Sequence, residues 1–511
     1  MSKLRTLLRA AVATAPSFSV VSSVVRTEAE IAGNFLRAMA TQRVPSMATG
    51  LASRCPAALS ARWMHTFSSG SVTSVKQHGS YSSIAALLSR QARQLAFQQR
   101  GLSTVAAGGT PSSFSAATAA AALTAGLSPG TRRALTIWLA GGSAWVFSMV
   151  VIGGITRLTR SGLSMTDWKF TGEKPPRTKE EWQAEFDRYQ LSPEFKLVNS
   201  TMDLEDFKFI YWMEWGHRMW GRALGICFAV PCAIFAARGC ITRPLARRLG
   251  ILFLMGGSQG LVGWWMVRSG LIEPTDNKVP RVSSYRLAAH LTSAFAIYAT
   301  MIWTTLSVAF PYPPVVTAGP PAARAAAALY KVALPAAVLL GTTAISGAFV
   351  AGIDAGHAYN TFPDMNGQWI PKEYFDMTGW RNIFENTAAV QLHHRLLALT
   401  TLCTSLALWR YGTRMPDLPR ASRLLLHTLA AGVACQVSLG VATLLTYVPV
   451  SLGSAHQAGA MTLFTIMLSL LYTVRPAPTL APFRLLASMP LSTTSAAVAV
   501  MAVGGAVANS A

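Results

Sequence analysis

The sequence predicts an all-α polytopic membrane protein whose eight transmembrane helices form two parallel-oriented four-helix repeats. Three observations predict it. Hydrophobic residues make up 51% of the 511-residue chain and charged residues 13%. The apolar residues gather into blocks of about 20, the length that spans a hydrocarbon core. Landmarks in the first four blocks recur in the last four at nearly constant spacing.

The chain opens with a basic leader, residues 1–130. Residues 1–133 hold 14 Lys or Arg against Glu28 and Glu30, and the next acidic residue is Asp167. The leader is rich in Ser and Ala, with Arg-bearing segments such as SRQARQLAFQQR (89–100). Such a segment resembles a mitochondrial transit region and is excluded from the fold. The net charge of +23 therefore sits largely in the leader and in short connectors, and nucleic acid is not an expected partner. Six cysteines form no disulfide framework: Cys55 lies in the leader, Cys227, Cys232, Cys403 and Cys435 lie in apolar spans, and Cys240 follows one closely. They read as small buried residues or inert thiols.

The spans are expected at 134–156, 209–237, 249–268, 283–310, 329–351, 388–410, 422–446 and 449–474. They group into a first repeat (131–310), a linker (311–328), a second repeat (329–475) and a tail (476–511). Within the tail, Ala496–Ala508 is apolar but short for a span. Basic residues mark alternate connectors: Arg132 and Arg133 before the first span, then Arg238, Arg243, Arg247 and Arg248 after the second. Arg410, Arg414, Arg420 and Arg423 follow the sixth span, and Arg475 and Arg484 follow the eighth. The positive-inside bias places these connectors and both termini on the matrix side of a mitochondrial inner membrane. Loops 157–208, 269–282 and 352–387 then face the intermembrane space.

Glu214-Trp215-Gly216-His217-Arg218 aligns with Gln391-Leu392-His393-His394-Arg395 at an offset of 177, which also carries Gln259 and Gly263 onto Gln436 and Gly440. Gly153 and Gly162 fall on Gly347 and Gly356 at 194, and Ala289-His290 falls on Ala455-His456 at 166. Each half has an even number of spans, so equivalent residues enter the membrane in the same direction. Four histidines survive as matched members: His217, His290, His394 and His456. A lone membrane histidine is usually a satisfied polar residue, but duplicated ionisable groups at matched depth point to function. Two imidazoles on different helices of one half can ligate an iron from opposite faces of a porphyrin. A bare metal ion is the weaker reading, because no carboxylate or thiolate cluster completes a set around either pair.

Arg218 and Arg395, each next to a matched histidine, are candidate cations for haem propionates, with snorkelling to head groups as the open alternative. Arg157 and Arg160 are further candidates, aligned with Ala351 and Asp354 in the second half. His393, His357 and His427 have no counterpart and read as structural. Trp264 and Trp265 read as packing or interface aromatics. Glu214 lies on the same helix face as His217, whereas the second half has Gln391, so the titratable group belongs to the first half. A partly desolvated carboxylate there can shuttle protons; an interfacial charge beside Arg218 or Arg222 is the alternative.

The segments GGITRLTRSGLSMTDW (153–168), EWGHR (214–218), QGLVGWWMVRSGL (259–271), RLAAHLTSAF (286–295), HHRLLA (393–398) and GSAHQAGAM (453–461) resemble the haem A synthase family of mitochondrial and alphaproteobacterial type. The resemblance covers about residues 150–475 and keeps the motifs in the family's order. It implies a membrane oxidoreductase that oxidises the C8 methyl of haem O to the formyl group of haem A for cytochrome c oxidase. It also implies that His394 and His456 hold a haem b cofactor, and that His217 and His290 line the haem O site. The expected partners are haem O, haem O synthase, a ferredoxin-type electron donor and membrane lipid, with a homo-oligomer left open. Some relatives carry a cysteine pair in an outer loop; loops 157–208, 269–282 and 352–387 contain no cysteine. The competing class is a diheme membrane cytochrome that only transfers electrons, and a transporter is more distant.

The topology is directly testable. Cysteines introduced into loops 157–208 and 411–421 should react differently with an impermeant thiol reagent applied from the intermembrane space: the first is modified and the second protected. Modification of both, or of the second alone, overturns the placement of the four histidines.

Overall fold

The computed structural model describes residues 122–169, 171–273, 279–311 and 318–476. Most of the leader, Cys55 and the apolar stretch 496–508 lie outside the described residues. Helix α1 (Pro129–Leu158) begins at Ser128, whose Oγ accepts from the Thr131 amide at 3.1 Å, with Pro129 in the first turn. A short hairpin follows, α2 (Lys179–Gln190) and α3 (Pro193–Leu197), each opened by a Thr or Ser cap. Four long helices come next: α4 (Leu204–Ala237), α5 (Arg243–Arg268), α6 (Ser284–Ala309) and α7 (Pro320–Gly352). Short 3-10 turns and α8 (Trp380–Glu385) then lead to α9 (Thr387–Thr413), α10 (Arg420–Leu445) and α11 (Val450–Val474). No named strand forms among the described residues, only an isolated bridge between Met365 and Gln368.

Seven of the described helices are long and apolar enough to cross a membrane: α1, α4, α5, α6, α7, α10 and α11. Helix α9, where an eighth span was expected, has comparable length but carries Gln391, His393, His394, Arg395 and Arg410, which lower its apolar content. Outward-facing Ile226, Val230 and Ile234 on α4 and Phe253, Leu254 and Leu261 on α5 are strongly exposed. In a bilayer this apolar surface meets lipid rather than water. The free cysteines Cys227, Cys403 and Cys435 also lie on exposed surface, rather than in the interior expected of small buried residues.

Helices α1, α4, α5 and α6 pack in a closed ring, α1 on α4, α4 on α5, α5 on α6 and α6 back on α1. Helices α7, α9, α10 and α11 close in the same way, and the two rings meet through α6, α7, α1 and α11. Leu135, Leu139, Val146 and Val150 of α1 join Leu245 and Leu249 of α5, Phe295 and Met301 of α6 and Met461 of α11 in one buried cluster. Polar groups stitch the rings together. Tyr298 Oη and Thr465 Oγ1 lie 2.7 Å apart, and Gln457 Nε2 donates to Val150 O at 3.0 Å.

Outside the spans, the α2–α3 hairpin seals the start of α4 with aromatic rings. Trp182, Phe186, Tyr189, Phe207 and Tyr211 are all buried, and Tyr189 stacks on Phe207 at a centroid distance of 5.1 Å. Beneath this stack Asn199 Nδ2 donates to Tyr189 Oη at 2.7 Å, and Tyr189 Oη donates to Glu194 Oε2 at 3.2 Å. Burial pushes the Glu194 carboxyl up to about 7, against the opposing pull of the Tyr189 hydrogen bond. The folded hairpin therefore binds a proton that the unfolded chain releases between pH 4.5 and 7. The resulting stabilisation is complete below the lower value and is lost as pH rises through the upper one. Protease opening of the hairpin should increase from pH 5 to 7.5 in the wild-type protein, and Glu194→Gln should flatten that dependence. A wild-type hairpin that tightens as pH rises contradicts the assignment.

Candidate functional site

The local construction around each matched histidine is the same. A Cβ on Gly153 of α1 would stand 3.2 Å from His217 Nε2 of α4, and one on Gly263 of α5 would stand 3.1 Å from His290 Cε1 of α6. In the second ring, a Cβ on Gly347 of α7 would meet His394 Cε1 at 3.3 Å, and one on Gly440 of α10 would meet His456 Cε1 at 2.8 Å. Each imidazole thus lies against bare backbone of a neighbouring helix, in space that any other residue would contest. His217 and His290 lie within electrostatic reach of each other, as do His394 and His456. The structure therefore brings each expected pair together within its own ring.

The far nitrogens are not consumed by the protein. No hydrogen bond ties Nε2 of these four histidines to another group among the described residues, whereas Nδ1 of three of them has a polar neighbour. Ser346 Oγ lies 2.7 Å from His394 Nδ1, and the amide nitrogens of Gln259 and Gln436 lie 3.2 Å and 3.1 Å from Nδ1 of His290 and His456. No group of three or more His, Cys, Asp or Glu that could hold a bare metal ion occurs among the described residues. Two imidazoles with uncommitted Nε2 atoms, between apolar helices, suit the axial positions of a porphyrin iron. The residues present fit a haem in either ring.

Glu214 and Arg218 are brought together, but face the loop above the histidines. Arg218 Nη2 pairs with Glu214 Oε1 at 2.5 Å and donates to Met165 O at 3.0 Å, while Nη1 donates to Asp167 O at 2.8 Å. Glu214 Oε2 accepts from Ser164 Oγ at 2.8 Å and from the Met165 amide at 2.7 Å. The second ring repeats this latch with reversed polarity. Gln391 Nε2 donates to Ala355 O at 2.7 Å and also to Ala358 O, and its Oε1 accepts from Arg395 at 2.9 Å. Arg395 reaches Asp364 O at 2.6 Å and Tyr359 O at 2.7 Å. The Glu/Gln difference follows what each loop presents: donors in the first half, which a carboxylate accepts, and carbonyls in the second, to which an amide donates.

Arg157 is spent between the rings. Its Nη2 pairs with Asp354 Oδ1 at 2.9 Å and donates to Ala351 O at 2.7 Å, while Arg160 and Arg281 approach Asp354 Oδ2 at 3.7 Å each. Arg160 and Asp354, aligned in sequence, share the left-handed backbone conformation, with φ of 51° and 56°. His393 points to Tyr374, whose Oη is 3.1 Å from Nε2, and His427 accepts from Trp409 Nε1 at 3.0 Å. His357 is exposed in the outer loop. Trp264 and Trp265 stack under Arg268 and Arg286. Sequence reasoning missed Ser346, Arg281 and the role of Gln259 and Gln436. The last two were detectable from their constant spacing to matched glycines, the first from its place beside Gly347.

Paired histidines, glycine-lined helix contacts and membrane-length helices define a multi-pass membrane protein of the haem-handling class. The chain matches the COX15-CtaA family, described as cytochrome oxidase assembly protein, over residues 136–468, and it belongs to that family. It is 58% identical over 355 residues to the Heme A synthase COX15 of Arabidopsis thaliana, an alignment covering 69% of this chain and 77% of that one. It is 44% identical to the Heme A synthase COX15 of Homo sapiens over 69% of this chain and 85% of that one. With the Heme A synthase of Rhodospirillum centenum the identity is 45%, over 68% and 90% of the two chains.

The latch makes a stability prediction. Glu214→Ala leaves a nearly buried guanidinium unpaired and strips two donors of their acceptor, at a cost of about 3–5 kcal/mol. Protease cleavage within residues 159–172 should rise accordingly while the helical content of the spans persists. Unchanged cleavage rejects the latch.

Proposed function

We infer that the protein is a haem A synthase, an oxidoreductase that converts the C8 methyl group of haem O to a formyl group and so produces haem A for cytochrome c oxidase. The observation that carries this reading is the twofold histidine–glycine construction in a chain of this family, since haem chemistry at two sites needs two axial pairs. Its relatives named Heme A synthase support the reaction itself. The basic leader and the plant and mammalian relatives support a mitochondrial inner membrane, with the histidines toward the intermembrane space and the termini toward the matrix.

The finer reading treats the chain as two four-helix repeats, 131–310 and 329–475, joined by the linker 311–328, with α9 as an eighth span. The recurring latch, the four glycine contacts and the matched left-handed residues support it. His394 and His456 would hold haem b through Nε2, and that group supplies one-electron redox chemistry when bound. His217 and His290 would orient haem O in the first half. Arg218 and Arg395 support the two sites by fixing the loops over them, at the depth where propionates need cations. Haem O synthase and a ferredoxin-type donor remain the proposed neighbours in the reaction sequence.

Glu214 is the proposed proton acceptor for methyl oxidation, one helical turn from His217. Three donors converge on its carboxylate, and Ser164 offers a hydroxyl through which a proton can move. Haems extracted from the purified wild-type protein should comprise haem b together with haem O or haem A. Haem b alone would favour an electron-transfer cytochrome. Glu214→Gln should accumulate haem O or a hydroxylated intermediate and make little haem A. Near-normal haem A from a folded Glu214→Gln protein would assign the residue to the latch alone.

A further inference from the structure

The two halves differ in the residue that precedes the glycine facing the first histidine of each pair. Ser346 stands one residue before Gly347, and Ile152 stands one residue before Gly153. Ser346 Oγ donates its hydrogen to Thr343 O at 2.7 Å, a carbonyl that can only accept. The same oxygen lies 2.7 Å from His394 Nδ1. When its hydrogen goes to Thr343, the hydroxyl turns a lone pair toward the ring, the arrangement in which Nδ1 carries the proton and Nε2 the free lone pair. The other polar neighbours are amides rather than hydroxyls. Gln259 and Gln436 approach Nδ1 of His290 and His456 with amide nitrogens already donating to the same histidine's carbonyl, at 2.9 Å and 2.8 Å. These amide nitrogens carry no lone pair for an Nδ1 proton, so neither supplies the hydrogen bond that the Ser346 hydroxyl offers His394. At His217, the aligned Ile152 offers no hydroxyl at all.

We propose that Ser346 is a positioning residue that fixes His394 as the permanent axial ligand of the second-half haem, while Ile152 leaves His217 free to release its ligand. The inference rests on the reading that His394 and His456 hold haem b. Accepting the Nδ1 proton orients the ring and makes Nε2 a stronger donor, which favours ferric over ferrous iron and slows loss of the group. A resident cofactor requires that grip. A tetrapyrrole that must enter as substrate and leave as product requires its absence. The asymmetry thus assigns retention to one half and exchange to the other with a single hydroxyl.

The test uses the full-length protein with bound haem, comparing wild type, Ser346→Ala, Ser346→Thr and Ile152→Ser. The midpoint potential of the bis-histidine haem and the rate of haem transfer to excess apomyoglobin are both read, independently of haem A formation. Ser346→Ala should raise the potential and accelerate haem loss by about 10–100-fold, the usual effect of removing a group that orients a ligating histidine. Ser346→Thr keeps the hydroxyl and should restore both values. Ile152→Ser should slow tetrapyrrole loss from the first half, and this arm decides the matter if Ser346→Ala fails to fold. The proposal falls if Ser346→Ala retains a bis-histidine haem with unchanged potential and loss rate, or, where that variant does not fold, if Ile152→Ser leaves first-half exchange unchanged. A wild-type protein without haem on His394 and His456 instead overturns the haem b reading beneath it.

Discussion

Everything about the site depends on how closely four helix pairs approach one another at glycine. An imidazole against a neighbouring backbone, with under 3.4 Å to the position a Cβ would take at Gly153, Gly263, Gly347 and Gly440, fixes both the separation of the helices and the ring's direction. Interhelical packing in a membrane lacks a hydrophobic drive between helices, so small residues and polar contacts carry the association. The glycines therefore do two jobs: they let α1 meet α4 and α7 meet α9, and they admit the rings that would serve as ligands. Any side chain at these positions sets the helix spacing against the histidine.

A second layer of contacts holds the outer loops over the histidines. The carboxylate of Glu214 and the amide of Gln391 occupy the same place in two latches, yet one receives N–H and O–H groups and the other gives N–H to carbonyls. Each is paired with an arginine one turn later that reaches loop carbonyls. Buried polar groups of this kind are costly unless fully matched. A change of residue in one latch must therefore be answered in its loop, which gives the Glu/Gln difference a structural cause alongside its proposed chemical one.

Between the rings, Arg157 and Asp354 form the principal ionic contact, one that links sequence positions nearly two hundred residues apart. Arg160 and Asp354 are equivalent by alignment and also face each other. Both positions hold a left-handed backbone. Arg157 reaches across the halves to a carboxylate and two carbonyl oxygens, those of Asp354, Ala351 and Gly352.

The sequence by itself determined the helical membrane class, the approximate place of every long helix, the matched histidines and the family. These signals are periodic or local: apolar blocks and motifs that recur at fixed offsets. It also marked the four glycines without saying what they were for. Only the tertiary structure decided where polar side chains spend their hydrogen bonds. That Arg218 turns to Met165 and Asp167, that Cys227 and Cys403 face outward, and that Ser346 meets His394 all depend on which helix faces which. A guanidinium or hydroxyl has several partners within reach along the chain, and packing of distant segments alone selects one.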